Sequence, residues 1–216
     1  MRDRVSDARE IDTVVFDLGN VLVQWDPYLP FVGRMERADV EAFFAEIDFA
    51  SFNHRQDAGR PWATARAELV DRFPQHVAAL DLYLDHFSDS IAGPVPGSSE
   101  LVRELIGAGI RVLGLTNWSA ETYHLAVPAA PVIGLLEGVL VSGEVGIAKP
   151  DPRIFALLAE QFAVEPASTV FTDDAAGNVL AARTAGYVGL QFTGADRLRG
   201  DLVALGLPVG PQLTRT

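Results

Sequence analysis

The sequence predicts an α/β protein in which a parallel sheet is flanked by helices and interrupted early by a helical insert. Three observations carry that reading. Short β-branched and apolar runs without polar alternation recur along the chain, as expected of strands buried on both faces. From residue 99 onward such runs alternate with segments of helical periodicity. Between residues 28 and 90 the strand pattern disappears.

The first strand is Thr13-Val14-Val15-Phe16, and it stops at a carboxylate, Asp17. Gly19 and Asn20 follow, two residues that tolerate left-handed or tight backbone, so the chain turns sharply where the charge appears. Ligands of open parallel sheets sit at the carboxyl ends of the strands, which is where this geometry puts Asp17. Residues 39–47 carry apolar side chains at helical spacing, and residues 61–73 open with proline, as a first helical turn tolerates. Leu80, Leu82, Tyr83, Leu84 and Phe87 suggest a third helix. The insert reads as a lid, with Gly93-Pro94-Val95-Pro96-Gly97 as its returning linker. The expected division is a core of residues 1–26 and 92–216 and a helical cap of residues 27–91.

Residues 99–108 read as a helix with Leu101, Leu105 and Ala108 on one stripe and Gly109 at its stop. A strand over 110–115 ends at Thr116-Asn117, and residues 139–141 form a short strand. Asp151-Pro152 opens a helix whose Phe155, Leu158 and Phe162 mark its buried face. A strand over 168–172 ends at Asp173-Asp174; a helix over 175–185 follows, with Val179 and Ala182 inward, and a last strand covers 187–192. The tail from Pro208 reads as irregular. The sum is a Rossmann-like core.

Composition narrows the function. In 216 residues, 49% hydrophobic and 21% charged content is ordinary for a globular chain with one sizeable core. The net charge of -12 argues against non-specific binding to nucleic acid or to an anionic membrane surface. With no cysteine, disulfides, thiolate catalysis and zinc-thiolate sites are excluded. Residues 1–7 are charged and lack the apolar stretch of a secretory signal, and no apolar run approaches the roughly 18 residues that span a bilayer, so a cytoplasmic protein is expected. His54, His76, His86 and His124 lack zinc-helix spacing; Gly107-Ala108-Gly109 is no dinucleotide turn; no Gly-x-Ser-x-Gly elbow occurs.

Asp17, Thr116-Asn117, the loop holding Lys149, and Asp173-Asp174 would converge on one sheet edge if their strands lie parallel and adjacent. Asp17 and Asp174, with a backbone carbonyl from the turn and waters, suit octahedral Mg2+, a hard ion that prefers oxygen. Thr116 offers a hydroxyl, Asn117 an amide and Lys149 a point charge, matching the oxygens of a phosphoryl group. A further carboxylate can then be a nucleophile, because metal and lysine offset its repulsion from phosphate. Each piece has an ordinary structural use as well: a turn at Thr116-Asn117, a solvated loop at Lys149-Pro150, a helix cap at Asp173-Asp174. Their order at successive strand ends favours the site.

Phe16-Asp17-Leu18-Gly19-Asn20-Val21-Leu22, Leu115-Thr116-Asn117-Trp118-Ser119, Ala148-Lys149-Pro150-Asp151 and Phe171-Thr172-Asp173-Asp174 resemble, in order, the four motifs of the haloacid dehalogenase-like hydrolase superfamily. The resemblance spans nearly the whole chain. The insert is similar to the cap of the subgroup containing small sugar-phosphate phosphatases, the phosphatase domain of epoxide hydrolases and the haloacid dehalogenases. The resemblance implies that Asp17 is the nucleophile, Asp174 a direct Mg2+ ligand, Asp173 a ligand through water and the Gly19 carbonyl the remaining protein ligand. It also implies that Thr116 and Lys149 hold phosphoryl oxygens. Asn20 and Trp118 from the motifs, and His54 and Arg55 from the polar run Asn53-His54-Arg55-Gln56-Asp57 of the insert, taken as a loop, are the candidate substrate contacts. The implied activity is Mg2+-dependent hydrolysis of a small phosphorylated molecule such as a sugar phosphate, through an aspartyl-phosphate.

One position departs from that pattern. Most phosphatases of the superfamily carry a second Asp two residues after the nucleophile, as acid and base; here Gly19 stands there. A good leaving group such as an anomeric phosphate needs less acid help, and glucose-1-phosphate-type phosphatases look like this sequence at that turn. A residue of the insert is the other substitute, and His54 titrates in the useful range. Two alternatives stand beside the phosphatase. One is a metal-independent 2-haloacid dehalogenase with an ester intermediate on Asp17, disfavoured by Gly19-Asn20-Val21 in place of an aromatic-Gly-Thr turn and by the Asp173-Asp174 pair. The other is a non-catalytic phosphate-binding relative.

Overall fold

A computed structural model describes residues 10–210, so the charged segment 1–7 and the tail beyond Gly210 lie outside the described residues. Seven strands occur in chain order: β1 (Thr13–Phe16), β2 (Val23–Trp25), β3 (Ile91–Pro94), β4 (Arg111–Thr116), β5 (Val139–Val141), β6 (Thr169–Asp173) and β7 (Val188–Gln191). Five of them form one parallel sheet in the order β5-β4-β1-β6-β7. β1 is therefore central, and every one of its residues is buried.

Alternation along β1 sorts the two helical layers. Val14 and Phe16 join a core with Leu101 and Leu105 of helix α5 (Ser98–Gly107), while Val15 joins Leu113, Leu115 and Phe171 on the other face. Four helices lie between β2 and β3: α1 (Arg37–Ile47), α2 (Phe49–Asp57), α3 (Trp62–Arg72) and α4 (Val77–Asp85). Their buried side chains, Val40, Phe43 and Ile47 on α1 and Trp62, Ala65 and Leu69 on α3, recur at helical spacing and belong to the same core as Phe16. After α5 come two single turns, α6 (Ala126–Ala129) and α7 (Ser142–Val145), then α8 (Pro152–Phe162), α9 (Ala176–Thr184) and α10 (Ala195–Ala204). Ile154, Phe155 and Leu158 of α8 and Ala182 of α9 cover the Val15 face. Among the described residues no helix is long and apolar enough to cross a membrane.

Three local readings of the sequence are corrected. Residues 53–57, taken as a loop, are the second half of α2: Asp48 adopts a left-handed φ of 49° that redirects the chain out of α1, and its carboxylate accepts from the Ser51 amide at the new N-terminus. Gly93-Pro94, taken as linker, pairs antiparallel with β2, Gln24 opposite Gly93, so a two-stranded stem carries the insert. Such short pairs leave little periodicity to read. Ala108 lies beyond the end of α5 and is exposed; Val102 fills the buried stripe.

Candidate active site

Strand register places the central charges. Phe16 is level with Gly114 of β4 and Thr172 of β6, and the Asp17 amide continues that ladder by donating to the Thr172 carbonyl at 2.8 Å. One step further along, Asp17 therefore stands beside Asp173. The chain then turns through Asn20, whose φ of 56° is one that Asn tolerates. The Asn20 side-chain carbonyl accepts from the Trp25 amide at 3.0 Å, so this residue, a candidate substrate contact by sequence, holds the turn.

Lys149 is the hub. Its ammonium, 1% exposed, lies 2.9 Å from Asp17 Oδ1 and 2.6 Å from Asp173 Oδ2 and donates to the Leu115 carbonyl at 2.9 Å. An ammonium has three protons, and these three partners use them all. The sequence expectation sets Lys149 on phosphoryl oxygens; in the structure its three contacts are to Asp17, Asp173 and the Leu115 carbonyl. Asn117 lines the cavity and also braces Lys149. Its carboxamide donates to the Lys149 carbonyl at 2.9 Å and accepts from the Lys149 amide at 2.8 Å, clamping the loop that delivers the ammonium. Lys149-Pro150 is a cis peptide.

Asp173 is fully buried and saturated. Its Oδ1 accepts from the Ala175 amide at 2.8 Å, and the Asn178 amide nitrogen lies 3.1 and 3.0 Å from its two oxygens. Asn178 escaped the sequence reading because it sits one helical turn into α9; its spacing from Asp173 was the available signal. Asp174 is exposed, and one oxygen from each of Asp17, Asp173 and Asp174 lies within 4.8 Å of the others. That all-oxygen donor set fits a hard divalent cation such as Mg2+.

Electrostatics match the crowding. Burial pushes the Asp17 carboxyl up to about 7, with Lys149 pulling it down and Asp173 adding to the rise. Burial alone would lower the Lys149 ammonium, but Asp17 and Asp173 together hold it above the usual lysine range. Asp174 is raised by desolvation and by the charge of Asp173. Thr116 and Thr172 each bury a side-chain oxygen with no partner among the described residues. Such groups are costly unless something else bonds them.

A cavity opens over this floor, lined by Gly19, Trp25, Asn53, Asp57, Trp62, Phe87, Asn117, Trp118, Ser119 and Thr122. All three tryptophans of the chain are there. Trp118 is thus at the site as expected, its indole N–H donating to Thr122 Oγ1 at 3.1 Å. His54 and Arg55 are not. Both are exposed and border a separate surface groove with Ala50 and Ser51, because α2 turns Asn53 and Asp57, one turn apart, toward the cavity and leaves His54 and Arg55 facing away from it. Arg55 pairs with Glu68 at 3.5 Å. Trp25, Trp62, Phe87 and Thr122 line the cavity without having been candidates by sequence, and Asp57 was named only as part of the polar run 53–57 and given no role.

A parallel sheet that gathers three carboxylates and a buried ammonium at its C-terminal edge, beneath an organic-sized cavity, defines the centre of a hydrolytic enzyme. The family model for haloacid dehalogenase-like hydrolases matches residues 11–186, and the chain belongs to that family. It is similar to a sesquiterpene phosphatase of Aspergillus oryzae, 26% identical over 83% of this chain and 88% of the relative. A phosphoglycolate phosphatase of Caulobacter vibrioides is 28% identical over 82% of this chain and 77% of its own. Among solved structures, a haloacid dehalogenase-family enzyme from Bacteroides thetaiotaomicron in complex with magnesium and inorganic phosphate superposes with a TM-score of 0.66 at 21% identity, over 85% of this chain and 93% of that one.

Proposed function

We propose that this hydrolase cleaves small phosphomonoesters with the help of Mg2+, through an aspartyl-phosphate on Asp17. The observation that carries the reading is the 2.9 Å contact of Asp17 Oδ1 with a fully committed Lys149, inside a three-carboxylate cluster. Asp17, Asp174 and the Gly19 carbonyl would hold the cation, with saturated Asp173 acting through water. Mg2+ bound there supplies the positive charge that lets a carboxylate approach a phosphate dianion.

Asp17 attacks phosphorus in line, the P–O bond to the leaving group breaks, and the alcohol departs. Water then attacks phosphorus of the aspartyl-phosphate and returns Asp17 as a carboxylate. The unpartnered Thr116 hydroxyl is placed to donate to a phosphoryl oxygen, which would satisfy it. Lys149 opposes the protonation of Asp17 and orients its carboxylate. The aromatic walls favour a leaving group with an apolar or C–H-rich face, such as the rings of a sugar, and the phosphatase names of both relatives agree with this chemistry.

Release of phosphate from 4-nitrophenyl phosphate, with and without Mg2+, tests the proposal. Metal-dependent release supports it. Halide release from 2-chloropropionate without metal would support the dehalogenase, and neither activity would leave a binding protein.

A further inference from the structure

The phosphatase reading leaves the leaving group without a proton donor, since Gly19 replaces the side chain expected two residues after Asp17. That space is open: a Cβ built on Gly19 meets no heavy atom within 4 Å. Gly19 itself borders the cavity, and of the ten lining residues only Asp57 is ionisable. We propose that Asp57, brought in on α2, is the general acid and base of this reaction. It donates its proton to the leaving oxygen as the P–O bond breaks, and it takes a proton from the water that attacks the aspartyl-phosphate. Each cycle returns Asp57 to its protonated state. The inference rests on the phosphatase reading of Asp17.

The placement of Asp57 is fixed from both sides. Asn53, one turn earlier on the same face of α2, donates to Asp57 Oδ2 at 3.1 Å. From the other side the backbone of Ser119, in the loop after β4, acts on the carboxylate and favours its ionised form. Close by, the Trp62 amide donates to Glu121 Oε1 at 2.8 Å, and a Cβ on Gly59 would lie 3.2 Å from Gly146 Cα, so α2 and α3 are tied to the loops flanking the site. The charged groups that act on Asp57 are Asp17 and Lys149. Burial first, and the Asp17 charge second, push this carboxyl up to about 7, the range in which a group both gives and takes protons near neutrality.

The test is a Brønsted series. With Mg2+ present, kcat/KM is measured for wild type, Asp57→Asn and Asp57→Glu on 2,4-dinitrophenyl phosphate, 4-nitrophenyl phosphate, phenyl phosphate and an alkyl phosphate. This parameter covers only the steps through leaving-group departure. The expected result is that Asp57→Asn loses about 10² to 10⁴ in kcat/KM on the alkyl ester and much less on the dinitrophenyl ester, so that the slope against leaving-group pKa steepens. Asp57→Glu should recover part of the alkyl rate, and adding Gly19→Asp to Asp57→Asn should recover more. Activity on the dinitrophenyl ester shows that the variant is folded. Equal losses across the series would overturn the proposal and make Asp57 a strut between α2 and Ser119. So would an alkyl rate equal to wild type. If wild type hydrolyses no ester in a metal-dependent way, the phosphatase reading falls and the role of Asp57 falls with it.

Discussion

Replacing Lys149 by methionine should strip the site of its only buried cation among the described residues while keeping most of its volume. The side chain is 1% exposed, and its loss leaves Asp17 and Asp173, which are 8% and 0% exposed, facing each other without an ammonium. Breaking a buried pair by removing one partner typically costs about 3–5 kcal/mol. For a domain of this size each kcal/mol moves Tm by roughly 2–4 °C, so the metal-free variant should melt about 6–20 °C below wild type at pH 8. The pH dependence follows from the sign of the shift. Asp17 already has a folded-state pKa raised from 3.8 to about 7, so protonated Asp17 favours the fold and that stability is lost as pH rises through the folded value. Without Lys149, which pulls the value down, the folded pKa climbs further. The gap between wild type and variant should therefore be widest above pH 7 and should shrink at pH 5, where Asp17 carries a proton in both proteins. Differential scanning calorimetry with EDTA at pH 5 and pH 8 measures it. A gap that is the same at both pH values, or smaller than about 1 kcal/mol at pH 8, would refute the assignment of Lys149 as the charge that supports these carboxylates.

Three further outcomes follow from the same geometry. Asp17→Asn keeps the shape and its amide ladder to Thr172, so its circular dichroism should match wild type while 4-nitrophenyl phosphatase activity falls by at least roughly 10³-fold. Gly19→Asp enters open space, so it should fold normally and speed hydrolysis of alkyl phosphates more than of dinitrophenyl phosphate; equal gains would reject the account of the missing acid. Thr116→Val removes a buried hydroxyl that has no partner among the described residues, so Tm should stay level or rise, while kcat/KM should fall about 10- to 150-fold, as loss of a hydrogen bond to a charged group of about 1.5–3 kcal/mol implies.

What the sequence shows and what it hides divide along the range of the interactions. The parallel sheet was legible because β1, β4 and β6 are buried on both faces and so read as unbroken apolar runs that end in functional residues. That Asp17 and Asp173 stand side by side follows from strand order, which few connection rules constrain, whereas Lys149 reaches them from a loop that strand order does not place. The insert gave way less readily. Its helices could be counted roughly from periodicity, yet which face of α2 meets the site depends on the left-handed turn at Asp48 and on close approach of Gly59 to Gly146, neither of which leaves a local pattern. Hence His54 stood out by residue type while Asp57, three residues on and on the inner face, did not. Lys149 and Asn117 show a second kind of loss. Residue type identified them as polar groups of the site, but only coordinates show that Asn117 is clamped to the Lys149 main chain and that the ammonium has no free proton.

The central claim, that Asp17 accepts a phosphoryl group, is tested most directly by acid-quenching the enzyme during turnover of 2,4-dinitrophenyl phosphate with Mg2+ and sequencing its peptides by mass spectrometry. The account requires the peptide containing Asp17 to carry the mass of one phosphoryl group, localised to that residue and absent without substrate. Steady turnover with no adduct on Asp17, or an adduct on another residue, would contradict it.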